Sequence, residues 1–375
     1  MHIVVFLTYG NSLKDWDSSG IFEREVKLYE KLSKLYNIKF TFITFGNNSD
    51  YSYKDLLPNC EIFPIYSSFK EHKNKYLKFL YSFVIASKLA GSISDISLIK
   101  TNQLMGSWMA IILKIKLRIP LFIRTGYDYL YFAIKNNKSY LKRILIYVLT
   151  QFAIIHSSKY SVTSKTDEQF IKKYFYFTKN KIIVRPNWVE LNNAIKPINK
   201  RYENHLVSIG RLEYQKNFPF LINEFEDTKI TLDIIGEGSQ RSELKNLSNN
   251  LGVKLNLLKK LNNEELLLKI SDYKIFCLSS HFEGSPKVLL EAMSRGCVPV
   301  VSNIDHHNEI VKNNFNGLVL DLSKNNFKKN ILELIGDEEK LNLLSSNAIN
   351  TIKESYDLAS YIKNENSDYL NIISN

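Results

Sequence analysis

The chain has 375 residues, 45% of them hydrophobic and 23% charged, which excludes disorder and exceeds what one core usually supports, so two domains are expected. Its three cysteines, Cys60, Cys277 and Cys297, are odd in number and far apart, which excludes a disulfide framework and a cysteine metal cluster and points to a reducing, cytoplasmic compartment. The net charge of +12 is uneven, with 28 Lys/Arg against 14 Asp/Glu in residues 1–190 and 22 against 24 in residues 191–375. A basic first half can attract nucleic acid, anionic lipid or a phosphorylated substrate; a plain lysine-rich surface is the bland alternative.

The chain opens on a short apolar run, residues 3–9, that lacks the order of a signal peptide and reads as a first strand. Further strands are predicted at 39–45, 61–65, 96–101, 121–124 and 160–163, separated mostly by helical patterns such as 22–35 and 140–155. The apolar stretch 104–123 is interrupted by Lys114, Lys116 and Arg118, which argues against a membrane-spanning helix. A polar, proline-marked joint follows over residues 185–204, and the alternation restarts with strands at 205–210, 230–235, 254–258, 274–278, 298–301 and 318–320. Strands alternating with helices imply parallel sheets, so the expected fold is α/β with two doubly wound Rossmann-like domains facing an interdomain cleft. The boundaries are an N-terminal domain over 1–190, a C-terminal one over 191–355, and a terminal helix over 356–375 that packs back toward the N-terminal domain.

Motifs should sit where strands end. After the strand at 205–210 come Gly210, Arg211, Lys216 and Asn217, two cations five residues apart where a pyrophosphate would lie. Taken alone, such a pair is more often a solvated basic loop. The strand at 230–235 runs into Gly236 and Gly238; the third glycine of a dinucleotide fingerprint is replaced by Arg241, so a tight turn is a sufficient explanation. The strand at 274–278 leads into Glu283, Gly284, Ser285, Pro286, Lys287 and Val288, with Glu291 on the next helix. Pro286 suits a first helical turn, whose free N–H groups can receive oxygens, and the two carboxylates can accept from sugar hydroxyls. The bland alternative is one capping and one solvated glutamate.

In order and spacing, these motifs with Pro299–Val301, Asn308–Glu309 and Asn316–Gly317 resemble the C-terminal domain of the retaining glycosyltransferases of family 4, of the GT-B fold (glycosyl transferases group 1). The resemblance covers the second half closely and the first only in layout. It implies a nucleotide-sugar donor, UDP- or GDP-linked, held mainly on the C-terminal domain without a metal or other cofactor. Arg211 and Lys216 would bind the diphosphate, Glu291 the ribose, and Glu283 the donor sugar near the reacting carbon. It also places the acceptor, a saccharide or polyprenyl-diphosphate-linked saccharide, on the N-terminal domain. The activity implied is retaining sugar transfer in polysaccharide or glycoconjugate synthesis; the expected location is the cytoplasm, with the inner face of the cell membrane suggested by the basic, aromatic stretches of the first half.

The first half departs from the family. The histidine many members carry after the fifth strand is missing, leaving Arg124, Tyr127 and Asp128 as candidates for acceptor or donor-sugar contact. Gly20 is the candidate for close backbone approach to the phosphate. Asp15, Trp16 and Asp17 mimic a metal-binding triplet of another glycosyltransferase fold, but read as acceptor contact or plain loop. Two stretches mix lysine with aromatic residues, 69–81 and 138–145, which suits contact with anionic membrane if their apolar sides do not simply pack on the sheet. Other enzymes on the same fold, a sugar phosphorylase or sugar-nucleotide epimerase, and a basic nucleic-acid-binding protein are the competing readings. No pyridoxal-anchoring lysine motif and no nucleic-acid recognition signature supports them.

Overall fold

The computed structural model describes residues 1–57, 59–191 and 195–374. The expected joint therefore includes three residues, 192–194, that lie outside the described ones. Contacts divide the chain into two compact units, Met1–Pro186 with Tyr361–Asn375, and Asn187–Ser360.

In the first unit seven strands, β1 (His2–Phe6), β2 (Lys39–Thr44), β3 (Cys60–Pro64), β4 (Leu98–Thr101), β5 (Leu121–Arg124), β6 (Lys159–Val162) and β7 (Ile182–Val184), form a sheet in the order β3-β2-β1-β4-β5-β6-β7. Every recorded pairing is parallel, for example Val5 opposite Phe42 and Lys100. Both faces are covered, which is why the strands read as nearly unbroken apolar runs. Val4, Phe6, Ile99, Leu121 and Ile123 point to one face, under the helices Lys75–Leu89, Ser107–Leu117 and Tyr140–His156. The alternate residues Phe42, Lys100 and Phe122 point to the other, where Phe42 meets Tyr29 of the Phe22–Tyr36 helix and Phe122 meets Tyr369 of the terminal helix Leu358–Ile373.

The terminal helix is fixed to this unit by charge as well as by packing. Lys100, fully buried in mid-sheet, forms an ion pair with Glu365 and donates to the Tyr369 hydroxyl at 2.9 Å. Arg185 grips Asp368 through two hydrogen bonds of 2.6 Å.

The second unit holds six strands, β8 (Tyr202–Ile209), β9 (Thr231–Ile235), β10 (Lys254–Leu258), β11 (Tyr273–Leu278), β12 (Val298–Ser302) and β13 (Leu318–Leu320), again parallel, in the order β10-β9-β8-β11-β12-β13. This repeats the winding of the first sheet, with the reversal of strand order at β8 and β11 where the first has it at β1 and β4. In such sheets ligands bind beyond the carboxyl ends of the strands at that reversal. The loops after β8 and β11 are therefore where a site belongs.

Twelve strands lie within a few residues of their predicted positions. β7 was not predicted. It is three residues long and runs straight into Arg185 and Pro186, where the proline-marked joint was expected to begin. All three cysteines are free and buried. No helix among the described residues is long and apolar enough to cross a membrane.

Candidate functional site

β8 ends at Ile209, and Gly210 turns the chain out of the sheet. A Cβ on Gly210 would come within 2.7 Å of Lys216 Cε, so the missing side chain is what lets the Lys216 stem lie back across the turn. The turn Tyr214–Lys216 closes on Asn217, whose φ of 51° marks a left-handed residue from which the Phe218–Glu224 helix starts. Lys216 Nζ thereby reaches Glu283 Oε1 at 2.6 Å.

Glu283 sits in the loop after β11 and is 5% exposed. Its first oxygen also accepts from Ser280 Oγ at 2.6 Å, and its second from Gln215 Nε2 at 3.1 Å. Burial pushes the Glu283 carboxyl up, but the Lys216 ammonium and the donors around it outweigh that and hold it below the usual carboxylate range. The two loops are laced further by the His281 N–H donating to the Gln215 carbonyl at 2.9 Å, by Ser279 Oγ on the carbonyls of Lys216 and Asn217, and by Tyr214 stacked on His281. The result is a cation and a carboxylate held together at the reversal point of the second sheet.

Behind Glu283 lies His307, fully buried on the helix Asp305–Ile310 that follows β12. Its Nδ1 is 2.9 Å from the Ser302 carbonyl, which can only accept, so Nδ1 carries the proton and Nε2 is a bare acceptor. Nε2 is buried with no hydrogen-bond partner among the described residues. Burial pushes the His307 imidazole down to about 4, against the pull of the Glu283 carboxylate.

Glu291 lies on the Lys287–Ser294 helix and is also buried, but its partner is Lys287, at 2.7 Å one turn earlier, rather than Arg211 or Lys216. Among the described residues, the direct contact between the two cations and the two carboxylates is that of Lys216 with Glu283. Arg211 is exposed, and its guanidinium makes no hydrogen bond or ion pair among the described residues. Pro286 occupies the N-cap of the Lys287–Ser294 helix, and no side chain caps it. The first N–H groups of that helix, at Lys287 and Val288, have no intrahelical partner. Gly284 is buried, and the Ser285 carbonyl accepts from Asn187 Nδ2 at 2.9 Å.

Gly236 and Gly238 have a packing reason to be glycine. A Cβ at Gly236 would stand 1.9 Å from the Gly210 carbonyl oxygen, and one at Gly238 2.4 Å from that of Leu212. They let the loop after β9 press against the loop after β8, where Leu212 N–H donates to the Glu237 carbonyl and Glu213 accepts from Ser239. Arg241, in the place of a third glycine, donates to the Leu257 carbonyl at 2.7 Å.

In the first unit the candidates are differently placed. Arg124 ends β5 but is 4% exposed, donating to Asn102 at 3.2 Å with Glu25 at 3.7 Å. Asp128 is buried as the N-cap of the Tyr129–Lys135 helix, accepting from the Tyr131 N–H at 2.6 Å. Both side chains are held by partners within their own unit. Tyr127 is half-buried and stacks on Tyr129 at 4.5 Å. Gly20 has φ +72° beyond the helix Leu13–Ser18 and open space where a Cβ would be, so its backbone conformation alone favours glycine. The acidic triplet lies on that helix and not in a loop: Asp15 forms a capping box with Ser12, and Asp17 accepts from the Tyr53 hydroxyl at 3.0 Å.

Sequence reasoning missed Gln215, Ser280, Ser302 and His307. Their signal was positional: each falls within five residues of a strand end or of Lys216 or Glu283, but none belongs to a spacing that announces it. Among the described residues no three His, Cys, Asp or Glu side chains are grouped to hold a metal ion.

Residues 191–351 match the family model described as Glycosyl transferases group 1. The chain is 29% identical over 278 residues to an Escherichia coli UDP-Gal:alpha-D-GlcNAc-diphosphoundecaprenol alpha-1,3-galactosyltransferase, covering 68% of this chain and 70% of that one. It is 26% identical over 353 residues to a Campylobacter jejuni N-acetylgalactosamine-N,N'-diacetylbacillosaminyl-diphospho-undecaprenol 4-alpha-N-acetylgalactosaminyltransferase, covering 87% and 90%. Among solved structures it superposes on Anabaena HepE in complex with UDP and glucose, with a TM-score of 0.74, 14% identity and 98% of each chain covered. The two parallel-sheet Rossmann-like units thus match GT-B structures, and the likenesses support glycosyltransferase activity.

Proposed function

We propose that the chain transfers a hexosyl unit from a nucleoside-diphosphate sugar to a polyprenyl-diphosphate-linked saccharide, with retention and without a metal, at the inner face of the cell membrane during polysaccharide synthesis. The observation that carries this reading is the Lys216–Glu283 pair at the strand-order reversal, with the unpaired Arg211 beside it in the same loop.

When the anomeric bond breaks, negative charge grows on the departing diphosphate. Fixed positive charge aimed at it lowers the barrier, because nothing has to reorganise as the charge develops. Arg211 supplies a planar fork suited to two phosphate oxygens, Lys216 a point charge, and the uncapped Lys287–Ser294 helix its N-terminal dipole. Together they supply positive charge from the protein itself. Glu283, anionic and anchored by three donors, is positioned to accept from sugar hydroxyls; Glu291 does the same for the ribose.

The acceptor class rests on the relatives, both named for diphospho-undecaprenol-linked acceptors. Both names also specify an alpha product, which from an alpha-linked donor is net retention. The test is a transfer assay with a panel of UDP- and GDP-sugars and a short-chain polyprenyl-diphosphate saccharide. We expect one donor to give an alpha-linked product, by NMR of the anomeric proton, with undiminished rate in excess chelator. A beta product from an alpha donor, or loss of activity on chelation, overturns retention or metal independence respectively. Failure of every donor both to transfer and to raise the melting temperature overturns the reading itself.

A further inference from the structure

The Lys75–Leu89 and Tyr140–His156 helices both pack on the Ser107–Leu117 helix between them, on one side of the first sheet. Each buries only a narrow stripe: Ile85, Ala86 and Leu89 on the first, Ala153 and Ile154 on the second. Tyr81, Ile146, Tyr147 and Leu149 pack partly buried against the same core, and the other apolar residues of the two helices are exposed. Tyr76, Leu77 and Leu80 are 70%, 52% and 62% exposed, and Leu141, Leu145 and Val148 are 67%, 62% and 57% exposed. These two helices carry thirteen of the thirty large apolar side chains that the described residues expose. An exposed apolar face of this extent marks a surface meant to be covered.

The charge around it identifies the cover. Residues 72–166 hold fifteen Lys/Arg and only two acids, Asp95 and Asp128, and Asp128 is buried. Neither helix contains an acidic residue. Lys73, Lys75 and Lys88 flank the first apolar face, and Lys135, Lys138 and Lys142 the second; all six are exposed. A second copy of this chain docking face to face would bring like charges together. An anionic bilayer instead takes the apolar side chains at the headgroup boundary and neutralises the lysines.

We propose that this two-helix face of the first unit is a docking surface for an anionic lipid bilayer, on which the helices lie in the interface without spanning it. The inference bears on where the sugar transfer proposed above takes place but does not rest on it. The experiment is flotation of the full chain with vesicles of phosphatidylcholine alone and of phosphatidylcholine with phosphatidylglycerol, without donor or acceptor. We expect at least tenfold more protein with the anionic vesicles, a loss as salt rises, and a tenfold drop for the double variant Leu80→Glu, Leu145→Glu. Both positions are exposed, so its melting temperature should match that of the native chain, as should that of a second variant, Lys75→Glu with Lys142→Glu, that reverses only charge. Equal or negligible binding to both vesicles overturns the proposal, as does native-like binding by both variants. So does a native dimer that Leu80→Glu, Leu145→Glu converts to monomer without any vesicle binding, which would assign the face to a second copy. Because no substrate is present, any of these results leaves the transfer reading standing.

Discussion

Lys216 and Arg211 stand five residues apart and differ in what the fold asks of them. Arg211 is exposed and unpaired, so Arg211→Ala should leave the melting temperature unchanged while lowering turnover by on the order of 10²–10³, the usual consequence of losing one preorganised donor to a developing oxyanion. Lys216→Ala should lower turnover similarly and also destabilise the second unit, because it leaves the Glu283 carboxylate buried without its cation. Steady-state kinetics with thermal melts separates the two effects; native turnover in both variants would remove these residues from the reaction. His307 sets a further expectation. It is held neutral in the fold, down to about 4, whereas an unfolded histidine titrates near 6.5. Between those values the unfolded chain takes up the proton first, so the stability His307 contributes is fully present above about pH 6.5 and is lost as pH falls through about 4. Chemical denaturation across that window should show stability falling with pH, with a shallower fall in His307→Gln.

At the scale of elements, the terminal helix is held by two ion pairs to its own unit. Glu365→Ala would leave Lys100 buried in mid-sheet without its paired carboxylate, at a cost of about 3–5 kcal/mol. Replacing both, as in Lys100→Met with Glu365→Leu, should recover much of that loss, since a packed apolar pair can stand in for a buried ion pair. Equilibrium denaturation of the single and double variants measures this. The same element shows where the sequence was legible and where it was not. Parallel strands covered on both faces must be apolar along their length, so β2, β5 and β11 stand out from the residues alone. In β4, Leu98, Ile99, Lys100 and Thr101 look like a strand with one solvated lysine, and only the fold shows that its partner lies 265 positions later. Likewise the spacing that marks Glu283 and Glu291 conveys their placement on one loop and the helix after it, but not that each has a lysine of its own. Spacing within one element is local information; the choice of partner is decided by which strand ends the winding brings together.

For the whole molecule, two units with separate cores predict separable unfolding. Calorimetry should resolve two transitions. A nucleoside diphosphate that binds the second unit should raise only one of them, by mass action on the folded form, while Glu365→Ala should lower only the other. A single transition moved equally by both would show that the units unfold together. The two sheets repeat one winding order, yet the chain does not complete them in turn, because the first unit takes back residues 361–375 after the second has ended. During synthesis the amino-terminal sheet therefore emerges with Lys100 lacking its Glu365 partner and with one face covered only in part, by the Phe22–Tyr36 helix, and it stays so while the whole of the second unit is made. The unit encoded second is the one that can finish folding first, and residues 361–374 close the one that began it.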